Sequence, residues 1–199
     1  MKNSFLKTLL NFPVWMYRLG LGWIVGFAPI LILTTRGRKT GLARYTPLEY
    51  RRHGSKIYVV AAWGKGANWY QNLLHDPEAT VKVGTHTYCV QATPVEDRAE
   101  ATRVLYMFRR FAPQLYDPIL LYLSGISQLS EVNLRTLPDI ALEIALIRLD
   151  IRDQPPSLPP IAPDRVWVIP LLLLIGVVVS MFREIWDRLH RGEIENNQP

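Results

Sequence analysis

The stretch LTTRGRKTGLARYTPLEY, Leu33 to Tyr50, decides how the chain is read. An apolar strand runs into a basic glycine turn, and a second strand leaves it. Arg36, Arg38, Lys39 and Arg44 fall within nine residues, with Gly37 and Gly41 among them. A backbone that turns tightly around clustered cations is suited to hold an anionic group. A phosphate or a polycarboxylate is the expected ligand class.

Outward from this turn the chain continues in strands. TPLEYRR alternates, and IYVVAAW is a continuous buried run. TVKVGTHTYCVQATPV supplies two more strands, with Gly84 at their turn, and His53-Gly54 separates the second strand from the third. Residues 33–95 therefore read as a β-meander. Within it, NWYQNLLHDPEA reads as a short helix ended by Asp76-Pro77. Residues 96–111 are helical by period. Tyr116–Leu129 is a second apolar helix, kinked or broken near Gly125, and the segment after Pro138 ends in a closing strand.

Upstream, Pro13, Arg18 and Pro29 interrupt an apolar region. From Leu19 to Leu33 it offers only 15 residues, short for a membrane span. The expectation is an N-terminal helix packed on the barrel or lying on a membrane, followed by a first strand at Ile30–Thr34.

The 199 residues carry a net charge of +6 and a pI near 9.6. Nucleic acid, an anionic membrane surface and an anionic small molecule all suit that balance. The clustering decides among them: Arg36 to Lys56 holds seven Lys or Arg and one acid, Glu49. A cluster points to a site rather than to a general solubility field. No nucleic-acid reader motif accompanies it, so nucleic acid is not an expected partner. Cys89 is the one cysteine, so no internal disulfide forms and a reducing compartment is expected. No histidines pair at metal-ligand spacing, and no metal is expected.

At the other end, DQPPSLPPIAP holds five prolines and reads as a stiff linker. Val166–Phe182 follows as 17 uncharged residues. Such a helix is about 25 Å long, a little short of the roughly 30 Å bilayer core, and Trp167 and Trp186 extend it with interfacial anchors. The expected organisation is a domain over 1–152, a Pro-rich linker over 153–165, a transmembrane helix over 166–182 and a polar tail over 183–199. Charge on the two sides of this single-pass anchor is nearly balanced, and the lone cysteine favours the folded domain in the cytoplasm.

TTRGRKTGLARYTPLEY taken together with VVAAWGKGANWYQNLLHDPEATVKVG resembles the deazaflavin (coenzyme F-420)-dependent nitroreductase family and its FMN-binding split-barrel relatives. The resemblance covers about Leu19 to Leu149. It implies an α+β fold: an antiparallel split β-barrel of about six strands with flanking helices, here followed by the C-terminal transmembrane helix. It implies an oxidoreductase that passes a hydride from reduced coenzyme F-420 to an electron-poor acceptor such as a quinone, an activated alkene or a nitro compound. FMN is the alternative cofactor.

Carried onto matching positions, the resemblance assigns Arg38, Lys39, Thr40 and Arg44 to the coenzyme's phosphate and acidic tail. Tyr45, Thr46, Pro47, Leu48 and Glu49 continue along the strand bordering the ring. Val60, Ala61, Ala62 and Trp63 form the next strand edge, and Asn68, Trp69, Tyr70, Gln71 and Asn72 the helix start that closes the pocket. Tyr116, ahead of Tyr122, is the implied proton donor. The loop Gly64–Ala67 is shorter than in many relatives, and Trp63 stands where a small polar residue is common. A non-catalytic module binding a flavin, a deazaflavin or a haem-like ligand at the membrane is the alternative function. The expected partners are a small, lipid-soluble electron acceptor, the membrane and a second copy of the chain.

Overall fold

The computed structural model describes residues 11–62, 64–126, 131–164 and 172–183. The chain divides into two compact units, Met1–Ala162 and Pro163–Pro199.

The first unit is built on a closed antiparallel barrel of six strands in the order β1-β2-β3-β6-β5-β4. Its strands are β1 (Ile30–Arg36), β2 (Ala43–His53), β3 (Lys56–Val60), β4 (Glu78–Val83), β5 (His86–Pro94) and β6 (Leu146–Arg152). A simple meander would leave two open edges. Here β1 pairs with β4, with Leu33 opposite Val81. β6, arriving late in the chain, closes the other gap, with Ile147 opposite Val59 of β3 and Ile151 opposite Val90 of β5. Among the described residues, closure leaves no strand of the barrel with an open edge.

Alternation fills the interior. Leu31, Leu33, Val59, Val81, Ile147 and Leu149 point inward and are almost fully buried. The two tight hairpins are made where expected, at Gly54 (φ +61°) and Gly84 (φ +55°), left-handed positions that favour glycine.

Among the described residues of this unit, six α-helices flank the barrel: α1 (Phe12–Arg18), α2 (Gly22–Val25), α3 (Asn68–His75), α4 (Arg98–Arg109), α5 (Pro113–Ser124) and α6 (Leu137–Glu143). α4 starts at an Asp97 cap whose side chain accepts from the Glu100 N–H at 2.7 Å. α5 begins at Pro113, before the expected Tyr116, and stops at Gly125, left-handed at φ +66°, where a break was expected. These two helices and α6 form a second core around Leu105, Leu137 and Ile140, laid against Tyr58 and Leu146 on the outer wall of β3 and β6. Ion pairs brace it: Arg109 to Asp117 at 2.6 Å and Arg148 to Glu100 at 2.9 Å.

A third core places α1 and α2 on the barrel, as expected for the N-terminal region. Tyr17 and Val25 pack with Ile32 of β1 and with Ile161. Ile161 belongs to the proline-rich stretch. Instead of leaving the domain at once, residues 157–161 run back over the barrel wall. Leu158 and Ile161 are buried. Thr80 Oγ1 donates to the Leu158 carbonyl at 2.9 Å, and Lys82 Nζ donates to the Ile161 carbonyl at 2.9 Å. The two apolar side chains among the prolines give this segment a face to bury.

The expected C-terminal span is not supported by the described residues. Among the described residues, no helix is long and apolar enough to cross a membrane. In the second unit, residues 172–183 are helical with exposed side chains. The remainder of the expected span, 166–171, and its anchor Trp186 lie outside the described residues.

Candidate functional site

The basic turn folds as its glycines suggest. The Gly37 N–H donates to the Leu42 carbonyl at 2.8 Å, and the Gly41 N–H to the Gly37 carbonyl at 2.7 Å. Gly41 is left-handed at φ +67°. A side chain on Gly37 would come within 3.0 Å of Thr40 Oγ1 and 3.2 Å of the Leu42 carbonyl. The turn is thus compact, and it carries Arg38 and Lys39 at its tip.

Beside it lies a cavity of about 430 Å³. One wall is the turn, from Gly37 to Thr40. A second is the start of β2, with Arg44, Tyr45 and Thr46. The third is α3, with Asn68, Trp69 and Asn72.

Arg38 joins the first wall to the third. Its Nη1 donates to Asn72 Oδ1 at 3.2 Å and to Asn68 Oδ1 at 3.3 Å. Its backbone N–H donates to the same Asn72 oxygen at 3.2 Å. Asn72 is buried, and its Nδ2 donates in turn to Thr35 Oγ1 at 3.2 Å. Arg44 Nη2 donates to Thr40 Oγ1 at 3.3 Å. Neutral acceptors of this kind orient a guanidinium without cancelling its charge. Arg36 differs, since it pairs with Asp76 at 2.9 Å and does not line the cavity.

α3 begins at Ala67, which offers no side-chain cap. Its first N–H groups therefore have no capping oxygen, and they add positive potential at the wall where Asn68 and Trp69 sit. Trp69 and Tyr70 meet edge to face, with ring centroids 6.0 Å apart, and both belong to the barrel core. That buried pair fixes the helix against the barrel. Burial raises the Tyr70 phenol above its usual range, with Glu96 adding to the shift. Gln71 turns away from the cavity and donates to the Lys65 carbonyl at 2.8 Å.

Nine of the expected site residues thus line one cavity: Arg38, Lys39, Thr40, Arg44, Tyr45, Thr46, Asn68, Trp69 and Asn72. The others are placed differently. Leu48 and Ala61 pack into the barrel core, and Pro47 sits opposite Ile32 on β1. Val60 packs on the outer helical core, and Ala62 is exposed. Trp63 lies outside the described residues.

Glu49 and Tyr116 meet each other away from the cavity lining. The Tyr116 hydroxyl donates to Glu49 Oε1, and Arg51 reaches both, at 2.7 Å to Glu49 and 3.3 Å to Tyr116. Burial, then the bond to the Glu49 carboxylate, pushes the Tyr116 phenol up to about 12. A phenol held protonated against a carboxylate is a brace between α5 and β2.

Two contributors were not among the expected site residues. Gly37 lines the cavity, and its place between two arginines was the available signal. The second is the proline-rich strap formed by residues 157–161, whose Pro159 carbonyl accepts from the Tyr45 hydroxyl at 3.4 Å. Nothing local in a polyproline stretch announces that contact.

A six-stranded barrel with a cationic cavity beside a turn and a helix start defines a class of barrel proteins suited to an anionic ligand. The family described as F420H(2)-dependent quinone reductase matches residues 14–119, just over half of the chain and all of the cavity lining. The chain belongs to this family. It is similar to the F420H(2)-dependent quinone reductase Rv1261c of Mycobacterium tuberculosis H37Rv, with 38% identity over 76 residues. That match covers 37% of this chain and 51% of the relative, so the chain spans about half the length of the curated relatives it matches. Among solved structures it is similar to one described as an F420-H2 dependent reductase, with a TM-score of 0.45 and 23% identity. That likeness covers 61% of this chain and 93% of the other. HutZ, a haem storage protein from Vibrio cholerae, is similar at a TM-score of 0.43 and 16% identity, covering 63% and 83%.

Proposed function

We propose that the chain is an oxidoreductase that uses reduced coenzyme F-420 to reduce a quinone. One observation carries this reading: the cavity walled by Arg38, Lys39, Arg44 and the start of α3 lies wholly inside the segment that matches the quinone reductase family.

The donor set suits the coenzyme. A phosphodiester and a glutamate tail ask for planar bidentate donors, a point charge and free helix N–H groups, and the three walls offer these. The volume of about 430 Å³ falls in the usual range for cofactor sites. Bound there, the coenzyme supplies the hydride.

The chain's own residues grip and orient. Arg38, fixed by Asn68 and Asn72, presents its guanidinium to the anionic tail. Arg44, bonded to Thr40, presents a second. Trp69, anchored in the core, gives the cavity a flat apolar wall. A quinone that gains a hydride takes up a proton to become the hydroquinone. On this reading water supplies that proton, and Tyr116 serves as a brace rather than as the donor.

Anaerobic mixing of the protein with reduced coenzyme F-420 and a soluble quinone tests the reading. The expected result is oxidised deazaflavin and hydroquinone in equal amounts. Parallel titrations with coenzyme F-420 and FMN decide the cofactor. Tight coenzyme binding without turnover would favour a non-catalytic binding module, and tight FMN binding without response to coenzyme F-420 would overturn the assignment.

A further inference from the structure

We infer that the face formed by the α2–β1 corner and the α4–α5 corner docks on an anionic lipid bilayer. The large exposed apolar side chains of the barrel unit gather at a few places. Phe27, 84% exposed, stands at the first corner, and Trp23, 57% exposed, meets it edge-on with ring centroids 6.2 Å apart. Phe111, 71% exposed, stands at the second corner. A recess of about 630 Å³ is lined by both Phe27 and Phe111, so the two corners form one surface. From Phe111 the apolar character continues along α5, where Leu115, Ile119 and Tyr122 follow at i, i+4 and i+7 and are all exposed. Contiguous exposure of this kind marks an interaction site.

Charge selects the partner. Arg51, Arg52 and Arg110 line the same recess, and none of its lining residues is acidic. Arg51 is committed below the surface. It pairs with Glu49, and its guanidinium lies 5.2 Å from the Phe111 ring and 4.7 Å from that of Phe108. It therefore holds the Phe111 corner from beneath. Arg52 and Arg110 are exposed at the rim. Aromatic side chains beside arginines match the headgroup level of a bilayer, where rings sit among acyl ends and guanidinium groups reach phosphates. The surface lies on the wall of the barrel and needs no spanning helix.

The test uses the full chain and no cofactor, so it stands or falls apart from the proposed activity. Phe27→Cys carries a polarity-sensitive fluorophore, since Cys89 is buried and its thiol is pushed up by burial and by Glu78. The labelled protein is mixed with vesicles of phosphatidylcholine plus phosphatidylglycerol, or of phosphatidylcholine alone. The expected result is a blue shift with the anionic vesicles only. Adding Arg52→Glu and Arg110→Glu together should weaken that binding roughly tenfold or more. Vesicle binding without a shift at position 27 would mean that another part of the chain makes the contact, and would overturn the inference. No vesicle binding, or a concentration-dependent shift in buffer alone that reports a second copy on this face, would overturn it equally.

Discussion

Arg38 and Asn72 are joined twice: the guanidinium and the backbone N–H of Arg38 both donate to the same Asn72 oxygen at 3.2 Å. One amide therefore aims the cation and pins the turn that carries it. Asn72 is itself fixed through Thr35 at the end of β1. The chain runs from Thr35 in β1 to Arg38 in the turn and back to Asn72 in α3, and it sets the geometry of the cavity.

Arg38→Ala should weaken coenzyme F-420 binding roughly ten- to a hundredfold, the range for losing one or two charge-assisted hydrogen bonds. Fluorescence titration measures it. An unchanged affinity would place the anionic tail elsewhere.

Asn72→Ala should destabilise the fold by about 1–3 kcal/mol, because buried partners lose their bonds. Urea denaturation should show a lower midpoint at unchanged slope. Coenzyme affinity should fall as well, although the substituted side chain carries no charge. Asn72→Asp keeps the acceptor oxygen but cancels the Arg38 charge, so it should leave coenzyme affinity low even where it recovers stability.

Tyr116→Phe should leave quinone turnover nearly unchanged if the hydroxyl is a brace, and should cut it strongly if the hydroxyl donates the proton. A pH series separates stability from chemistry. Tyr116 and Tyr58 are both pushed up to about 12, first by burial and then by bonds to Glu49 and Glu100. The folded phenols hold their protons more tightly than the unfolded chain does near pH 10. Their stabilisation is therefore complete below about pH 10 and is lost as pH rises toward 12. Denaturation midpoints should fall across that window, and Tyr116→Phe should shrink the fall.

Ile161→Ala should cost about 2–5 kcal/mol, as for other buried aliphatic truncations. Its side chain sits with Tyr17, Val25 and Ile32, so the strap, α1, α2 and β1 loosen together. Thermal denaturation checks it. A result near zero would mean that the strap only rests on the barrel.

The turn was legible because its determinants are local. Gly41 takes a left-handed φ that other residues rarely adopt, and the arginines are neighbours in the chain. Strands and the end of α5 were legible for the same reason: alternation and a break at Gly125 act over a few residues. Tyr116 was less legible. Its partner Glu49 lies 67 residues away, and nothing near Tyr116 marks a phenol committed to a carboxylate. The proline-rich segment was misjudged in its first part because stiffness is a local property and burial is not. Leu158 and Ile161 found partners on β1, β4, α1 and α2.

By itself the amino-acid sequence determined the cation cluster, the glycine turn, the strand and helix periods and the resemblance that names the cofactor class. Those depend on backbone preference and spacing, which the chain carries residue by residue. Only the tertiary structure decided which cations face a cavity and which are paired, with Arg38 held by neutral amides and Arg36 held by Asp76. It also decided that the closing strand β6 pairs with β3 and β5 and that the strap returns to the barrel wall. Those outcomes depend on which distant surfaces can be buried together, and barrel closure settles that for all six strands at once.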